Sequence, residues 1–98
     1  MPHLAYTNLG VVYWVQSDLT QAEAMYHKAL ELNEALGREE GMASAYGNLG
    51  NVYRVQGDLT QAEAMYRQSL TLLQEIGATS SMEKVHTLLE ALRVQGSQ

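Results

Sequence analysis

Few side chains in this chain could do chemistry, and they are widely spaced. His3, His27 and His86 have no second histidine at zinc-ligand spacing, and there is no cysteine. Glu23 and Glu63 recur at equal places, but each lies three residues after a threonine, where a carboxylate caps a helix. The order of a Ser/His/Asp triad and a glycine-rich phosphate loop are both absent from the sequence. We therefore expect a protein that is not an enzyme and that binds no metal or cofactor.

The composition argues against two classes of partner. A net charge of −5 opposes a phosphate backbone, so nucleic-acid binding is not expected. No apolar run approaches the roughly 20 residues that span a bilayer, and residues 1–3 lack the features of a signal peptide. With 98 residues, the chain has little room for a buried active site. We expect one small cytoplasmic domain without membrane contact.

The remaining polar side chains are suited to recognition. Asn8 and Asn48 each precede a Leu-Gly pair, and an amide both donates and accepts, so each could pair with the backbone of a bound peptide. The alternative is that they bond neighbouring backbone or water. Arg54 and Arg93 each begin an Arg-Val-Gln-Gly run and could together hold a carboxylate, although exposed arginines are common.

These residues recur because the chain repeats itself. A shift of 40 places the run 18–26, Asp-Leu-Thr-Gln-Ala-Glu-Ala-Met-Tyr, on an identical run at 58–66. The tail repeats only the first part of the unit, because 93–96 echoes 54–57 at a shift of 39, which implies one deletion in the preceding loop. A period in this range predicts stacked helical units, about two and a half of them here.

Apolar spacings of three and four predict two helices in each full unit. The pairs Thr20/Glu23, Thr60/Glu63 and Ser80/Glu83 have capping-box spacing and predict helix starts within a residue or two. Gly37 and Gly77 suit the left-handed residue after a helix. The predicted helices are 3–16, 19–36, 40–56, 59–76 and 80–94.

Two glycines lie inside predicted helices, where glycine costs roughly 1 kcal/mol relative to alanine. Gly10 and Gly50 therefore indicate a close helix contact. We expect Ala22 or Ala62 to approach them, with the ring of a tyrosine such as Tyr26 beside the crossing, or that of Tyr13.

Together these residues resemble the tetratricopeptide repeat, whose pattern is Tyr-x-x-Leu-Gly-x-x-Tyr followed by Ala-x-x-x-Tyr-x-x-Ala. The pattern falls on Tyr6, Leu9, Gly10, Tyr13, Ala22, Tyr26 and Ala29, and again on Tyr46, Leu49, Gly50, Tyr53, Ala62, Tyr66 and Ser69. The resemblance implies an all-α, short right-handed superhelix of antiparallel helix pairs. It implies one domain, 1–98, with repeats at 3–37 and 43–77 and a capping helix or half repeat at 80–94.

The resemblance also implies a concave groove, lined by the first helix of each unit, that binds a peptide or helix of a partner protein. The predicted groove residues are Leu4, Thr7, Asn8, Val11, Trp14, Ser44, Asn48, Asn51, Arg54, His86 and Arg93. One alternative function is self-assembly as a homodimer through exposed apolar faces, with Trp14 or the region of Leu73 and Ile76 in the interface. Another is that the chain is a fragment of a longer array.

Overall fold

The computed structural model describes the backbone of residues 2–97 and the side chains of residues 4–97. Five helices follow one another: α1 Pro2–Val15, α2 Leu19–Leu36, α3 Glu39–Val55, α4 Leu59–Ile76 and α5 Thr79–Gly96. Each helix is joined to the next by a short turn and packs against it, and α1 also contacts α3. No strand occurs between residues 2 and 97. The all-α helical-repeat fold predicted from the sequence is confirmed, with helix bounds within two residues.

The helix starts differ from the prediction in which residue caps them. Asp18 and Asp58 are the N-caps of α2 and α4, and their carboxylates accept from the backbone N–H of Gln21 and Gln61 at 3.2 Å. The predicted Thr20 and Thr60 capping boxes are wrong, because those residues already lie in the first helical turn. The predicted Ser80 capping box is wrong for the same reason, since α5 begins at Thr79 after Ala78 with no side-chain cap.

The helix ends agree with the prediction. Gly37 and Gly77 follow α2 and α4 in the left-handed conformation, with φ of 67° and 72°. Their N–H groups bond back to carbonyl oxygens of the last helical turn. These bonds let the chain leave each helix and begin the next within two or three residues.

The predicted close contact occurs at both helical glycines, and its partner is a tyrosine ring. A Cβ atom on Gly10 would lie 2.4 Å from Cε1 of Tyr26, and one on Gly50 would lie 2.5 Å from Cε1 of Tyr66. The ring fills the space that the glycine leaves, so the expectation for Tyr26 is confirmed. The ring, rather than Ala22 or Ala62, is the near neighbour.

Two apolar clusters form the core, and they are copies of each other displaced by 40 residues. The first comprises Ala22, Tyr26, Leu30, Ala45, Leu49 and Val52. The second contains Ala62, Tyr66, Val85 and Leu92, with Leu70 and Leu89 packed against it. Leu73 also belongs to the second cluster and is only 7% exposed, so it lies in the core and not on the predicted dimer face.

The equivalence of the clusters corrects the predicted register of the tail. Val85 and Leu92 of α5 occupy the places of Ala45 and Val52 of α3, which is a shift of 40 and not 39. The sequence echo misled because Gly57 forms a turn with φ of 83°, whereas Gly96 is the last helical residue of α5. The helix phase is set by the side chains that pack on α4.

Candidate functional site

A cleft lies between α1 and α3, and most of the predicted groove residues line it. Its first part is a cavity of about 230 Å³ with Val11 and Trp14 on one wall, Asn48 and Asn51 on the other, and Tyr26 also in its lining. An apolar wall therefore faces two amides. This pairing can bury an apolar side chain while bonding a peptide backbone.

The second part of the cleft is a smaller cavity of about 120 Å³. Leu4 and Thr7 of α1 meet Ser44 of α3 there, beside the α2–α3 connection. The rest of its lining is Asn33, Arg38, Glu40 and Gly41. Asn8, which was predicted to act with Asn48, is exposed and lines neither cavity.

Asn51 and Arg54 are held in place by a tyrosine of the following helix. The Tyr66 hydroxyl donates to Oδ1 of Asn51 and accepts from Nε of Arg54, which lies 3.3 Å away. Burial raises the pKa of Tyr66, and the Arg54 cation partly offsets this effect. Because Oδ1 of Asn51 is occupied, its Nδ2 group is the part of the amide left to donate to a ligand.

Repeat 1 lacks this polar arrangement. Val11 and Trp14 stand where repeat 2 has Asn51 and Arg54, so the Tyr26 hydroxyl has no hydrogen-bond partner among the described side chains. Burial again raises the pKa of this phenol. The cleft thus combines an apolar wall from repeat 1 with a polar wall from repeat 2.

Asn33 is a feature of the site that sequence reasoning missed. It is 2% exposed, its Nδ2 donates to the carbonyl oxygen of Ala29 at 2.8 Å, and its Oδ1 has no partner. A Cβ on Gly41 would lie 1.9 Å from that oxygen, so any larger residue at this position would require the Asn33 side chain to move. The available signal was that Asn33 takes the place of the core residue Leu73 in the other repeat.

The tail contributes different residues to the cleft from those predicted. Ser81, Lys84 and Val85 of α5 line a cavity of about 160 Å³ together with Ser44 and Gly47 of α3. Arg93 lies instead at the crossing of α4 and α5, and His86 is exposed outside that lining. Arg93 and His86 therefore lie apart from the α3 residues that line this cavity, and their roles in a groove stay predictions. The cause is the one-residue error in register.

A polar cluster also joins α2 to α3. The Tyr53 hydroxyl donates to Oε2 of Glu23 at 3.1 Å, and its oxygen lies 3.3 Å from Nε2 of His27. Burial raises the pKa of Tyr53, and the hydrogen bond to Glu23 adds to the effect. Glu23 therefore links two helices, which corrects its predicted role as a cap.

Among the described side chains, those of residues 4–97, His, Asp and Glu nowhere cluster in groups of three or more that could hold a metal ion. In that same part of the chain, none of the helices has the length and apolar composition needed to cross a bilayer.

The repeated helix pairs define a helical-repeat protein. A family model described as the tetratricopeptide repeat matches residues 3–75. The chain belongs to the tetratricopeptide repeat family, whose members generally mediate protein–protein interactions. No curated protein matches the chain significantly.

Proposed function

We propose that the cleft between α1 and α3 binds an extended segment of a partner protein. The observation that carries this proposal is the cavity where Val11 and Trp14 face Asn48 and Asn51. A peptide lying there would place one apolar side chain against Val11 and Trp14 and present its backbone to the amides. Burial of apolar area supplies about 25 cal/mol per Å², and the amides set the direction of the peptide.

Trp14 provides the readout, since it is the one tryptophan in the sequence. Peptides would be selected from a displayed random library on the intact protein and their binding measured by tryptophan fluorescence. The double variant Val11→Asn with Trp14→Arg gives repeat 1 the residues of repeat 2, and its binding would be followed by calorimetry. We expect at least tenfold weaker binding, with helical content preserved because Tyr26 then gains hydrogen-bond partners.

Single alanine variants separate the roles of the asparagines. Asn48→Ala should weaken binding of a selected peptide about fivefold, since it removes an amide from the cavity wall. Asn8→Ala serves as the matched control and should have a smaller effect, because Asn8 lies outside both cavities. Equal affinity of wild type and Asn48→Ala would contradict peptide recognition through this amide.

Self-association is a second candidate function, favoured by one specific observation. Leu9 and Val12 of α1 are 44% and 49% exposed, whereas their counterparts Leu49 and Val52 are both 0% exposed beneath α2. The outer face of α1 therefore exposes two apolar residues whose counterparts in α3 belong to the core. Adjacent exposed apolar groups of this kind favour association with another surface.

Sedimentation equilibrium over a wide concentration range tests the second candidate. If the outer face of α1 pairs two copies, wild type will dimerise and Leu9→Lys will remain monomeric. Val55→Lys is the matched control, since Val55 is also exposed but lies outside that face. A wild type that stays monomeric throughout would rule out self-association and leave peptide binding untouched.

A further inference from the structure

The crossing of α2 and α3 shows how this fold holds a tyrosine ring. Tyr53 reaches from α3 to α2, where its hydroxyl meets Glu23 at 3.1 Å and His27 at 3.3 Å. Its ring packs against both core clusters. A phenol at this place therefore has apolar neighbours for its ring and a carboxylate that accepts a hydrogen bond from its hydroxyl.

The crossing of α4 and α5 is equivalent to that of α2 and α3, but it has no tyrosine ring between the helices. By the 40-residue register, Arg93 stands in the place of Tyr53, and Glu63 and Arg67 stand in the places of Glu23 and His27. Arg93 pairs with Glu90 along its own helix and does not fill the space between the helices. A cavity of about 260 Å³ results, with Leu59, Leu89 and Leu92 in its lining.

Two polar side chains at this cavity, Glu63 and Arg67, offer a phenol hydroxyl an acceptor and a donor. Oε1 of Glu63 lies 2.8 Å from Nη2 of Arg67, so an acceptor and a donor stand side by side. A phenol hydroxyl can donate to the carboxylate and accept from the guanidinium at once. A plain benzene ring, which has no hydroxyl, would make neither of these hydrogen bonds.

We propose that this cavity binds the tyrosine side chain of a partner protein, with its hydroxyl on Glu63 and Arg67 and its ring on the three leucines. Arg93, at the rim, can lie over the face of the ring. The cavity shares no lining residue with the two cavities between α1 and α3. The proposal therefore does not depend on peptide binding in that cleft.

N-acetyl-tyrosinamide is the probe, and its binding to the intact protein would be followed by two-dimensional amide NMR. We expect saturable shifts confined to the residues around Leu59, Glu63 and Leu89, with a dissociation constant of about a millimolar, as suits so small a ligand. N-acetyl-phenylalaninamide should bind at least fivefold more weakly. Equal binding of the two amides, or no saturable shift at this cavity, would overturn the proposal.

A matched variant fills the cavity with a tyrosine ring that belongs to this chain. Arg93→Tyr should fill the cavity as Tyr53 fills the preceding one, so the probe should bind at least tenfold more weakly while the melting temperature rises. Glu63→Gln keeps the shape and should weaken the tyrosine probe severalfold without affecting the phenylalanine probe. Unchanged tyrosine binding in Glu63→Gln would overturn the assigned hydroxyl contact.

p-Cresol distinguishes a protein-borne tyrosine from a small phenol. If the cavity takes a tyrosine side chain, p-cresol and N-acetyl-tyrosinamide should shift the same amide signals. Binding of p-cresol with exclusion of the tyrosine amide would overturn the assignment to a protein partner.

Discussion

Ser17 and Gly57 occupy the same position in the turns of the two repeats, and both have positive φ. The angle is 63° at Ser17 and 83° at Gly57. A non-glycine residue in this conformation is strained by about 1–2 kcal/mol, because its Cβ crowds the following carbonyl oxygen. The turn before α2 therefore stores strain that the turn before α4 avoids.

We expect Ser17→Gly to raise the free energy of unfolding by about 0.5–1 kcal/mol, since the gain in the turn exceeds the entropy added to the unfolded chain. Urea denaturation would measure it. Gly57→Ser, the reverse exchange in the other repeat, should lower stability by a similar amount. Loss of stability in Ser17→Gly would show that the serine side chain has a compensating role.

Asn33 is a polar residue in the core of repeat 1. Its Oδ1 is buried without a partner, and an unsatisfied buried acceptor costs about 1–3 kcal/mol. Asn33→Leu, which installs the residue of the other repeat, should therefore stabilise the fold by about 1 kcal/mol in thermal or urea unfolding. Leu73→Asn is the reverse control and should be destabilising. A destabilising Asn33→Leu would mean that Oδ1 has a partner in solution.

Aspartates start both second helices of the repeats. The residue that starts α2 is Asp18, whose carboxylate bonds the N–H of Gln21. Asp58 does the same for α4. Each cap stands immediately after a positive-φ residue, so turn and helix start are specified together by neighbouring positions.

Alanine substitutions distinguish the observed cap from the one predicted by the capping-box pattern. Asp18→Ala should lower the free energy of unfolding by about 1 kcal/mol, whereas Thr20→Ala should change it by only a few tenths. Circular dichroism during urea denaturation measures both. Equal losses would restore Thr20 as part of the cap.

The whole molecule is thin, with extents of 41 × 32 × 18 Å. Since a helix with its side chains is about 10–12 Å across, the shortest dimension holds two helical layers. Tyrosines bridge these layers, because a long ring reaches the neighbouring helix while its hydroxyl finds a polar partner. Tyr53 and Tyr66 both do so.

This architecture predicts sensitivity to alkaline pH. The pKa values of Tyr26, Tyr46, Tyr53 and Tyr66 are raised above 10.0, chiefly by burial. The folded state therefore retains these protons to higher pH than the unfolded chain does. The associated stability is fully present below about pH 10 and is lost as pH rises through the folded-state values.

Urea midpoints measured at a series of pH values should fall above about pH 10, together with the appearance of tyrosinate absorbance. Tyr53→Phe removes one of these groups and should make the fall shallower. A midpoint that is constant across this range would contradict a structural role for the protonated phenols.

Much of the molecule could be predicted from the sequence because local spacing governs it. The helices follow from apolar spacings of three and four residues, and the 40-residue period follows from comparing the chain with itself. A glycine inside a predicted helix indicated the close contacts at Gly10 and Gly50. Seven of the predicted groove residues also line the two cavities between α1 and α3. The prediction and the cavities share these residues because α1 and α3, the first helices of the two repeats, run parallel, so their equivalent positions face the same side.

The sequence by itself determined the helices, because apolar spacings act over a few positions, and the repeat, because the same residues recur at a fixed distance. The interaction class followed from the resemblance of those residues to the tetratricopeptide pattern. Only the tertiary structure decided the register of α5, the burial of Asn33 against Gly41 and the empty ring position beside Arg93. These features depend on which side chains of separate helices meet. A four-residue echo such as 93–96 carries no information about that packing, whereas the apolar contacts of Val85 and Leu92 with α4 set the phase of the whole helix.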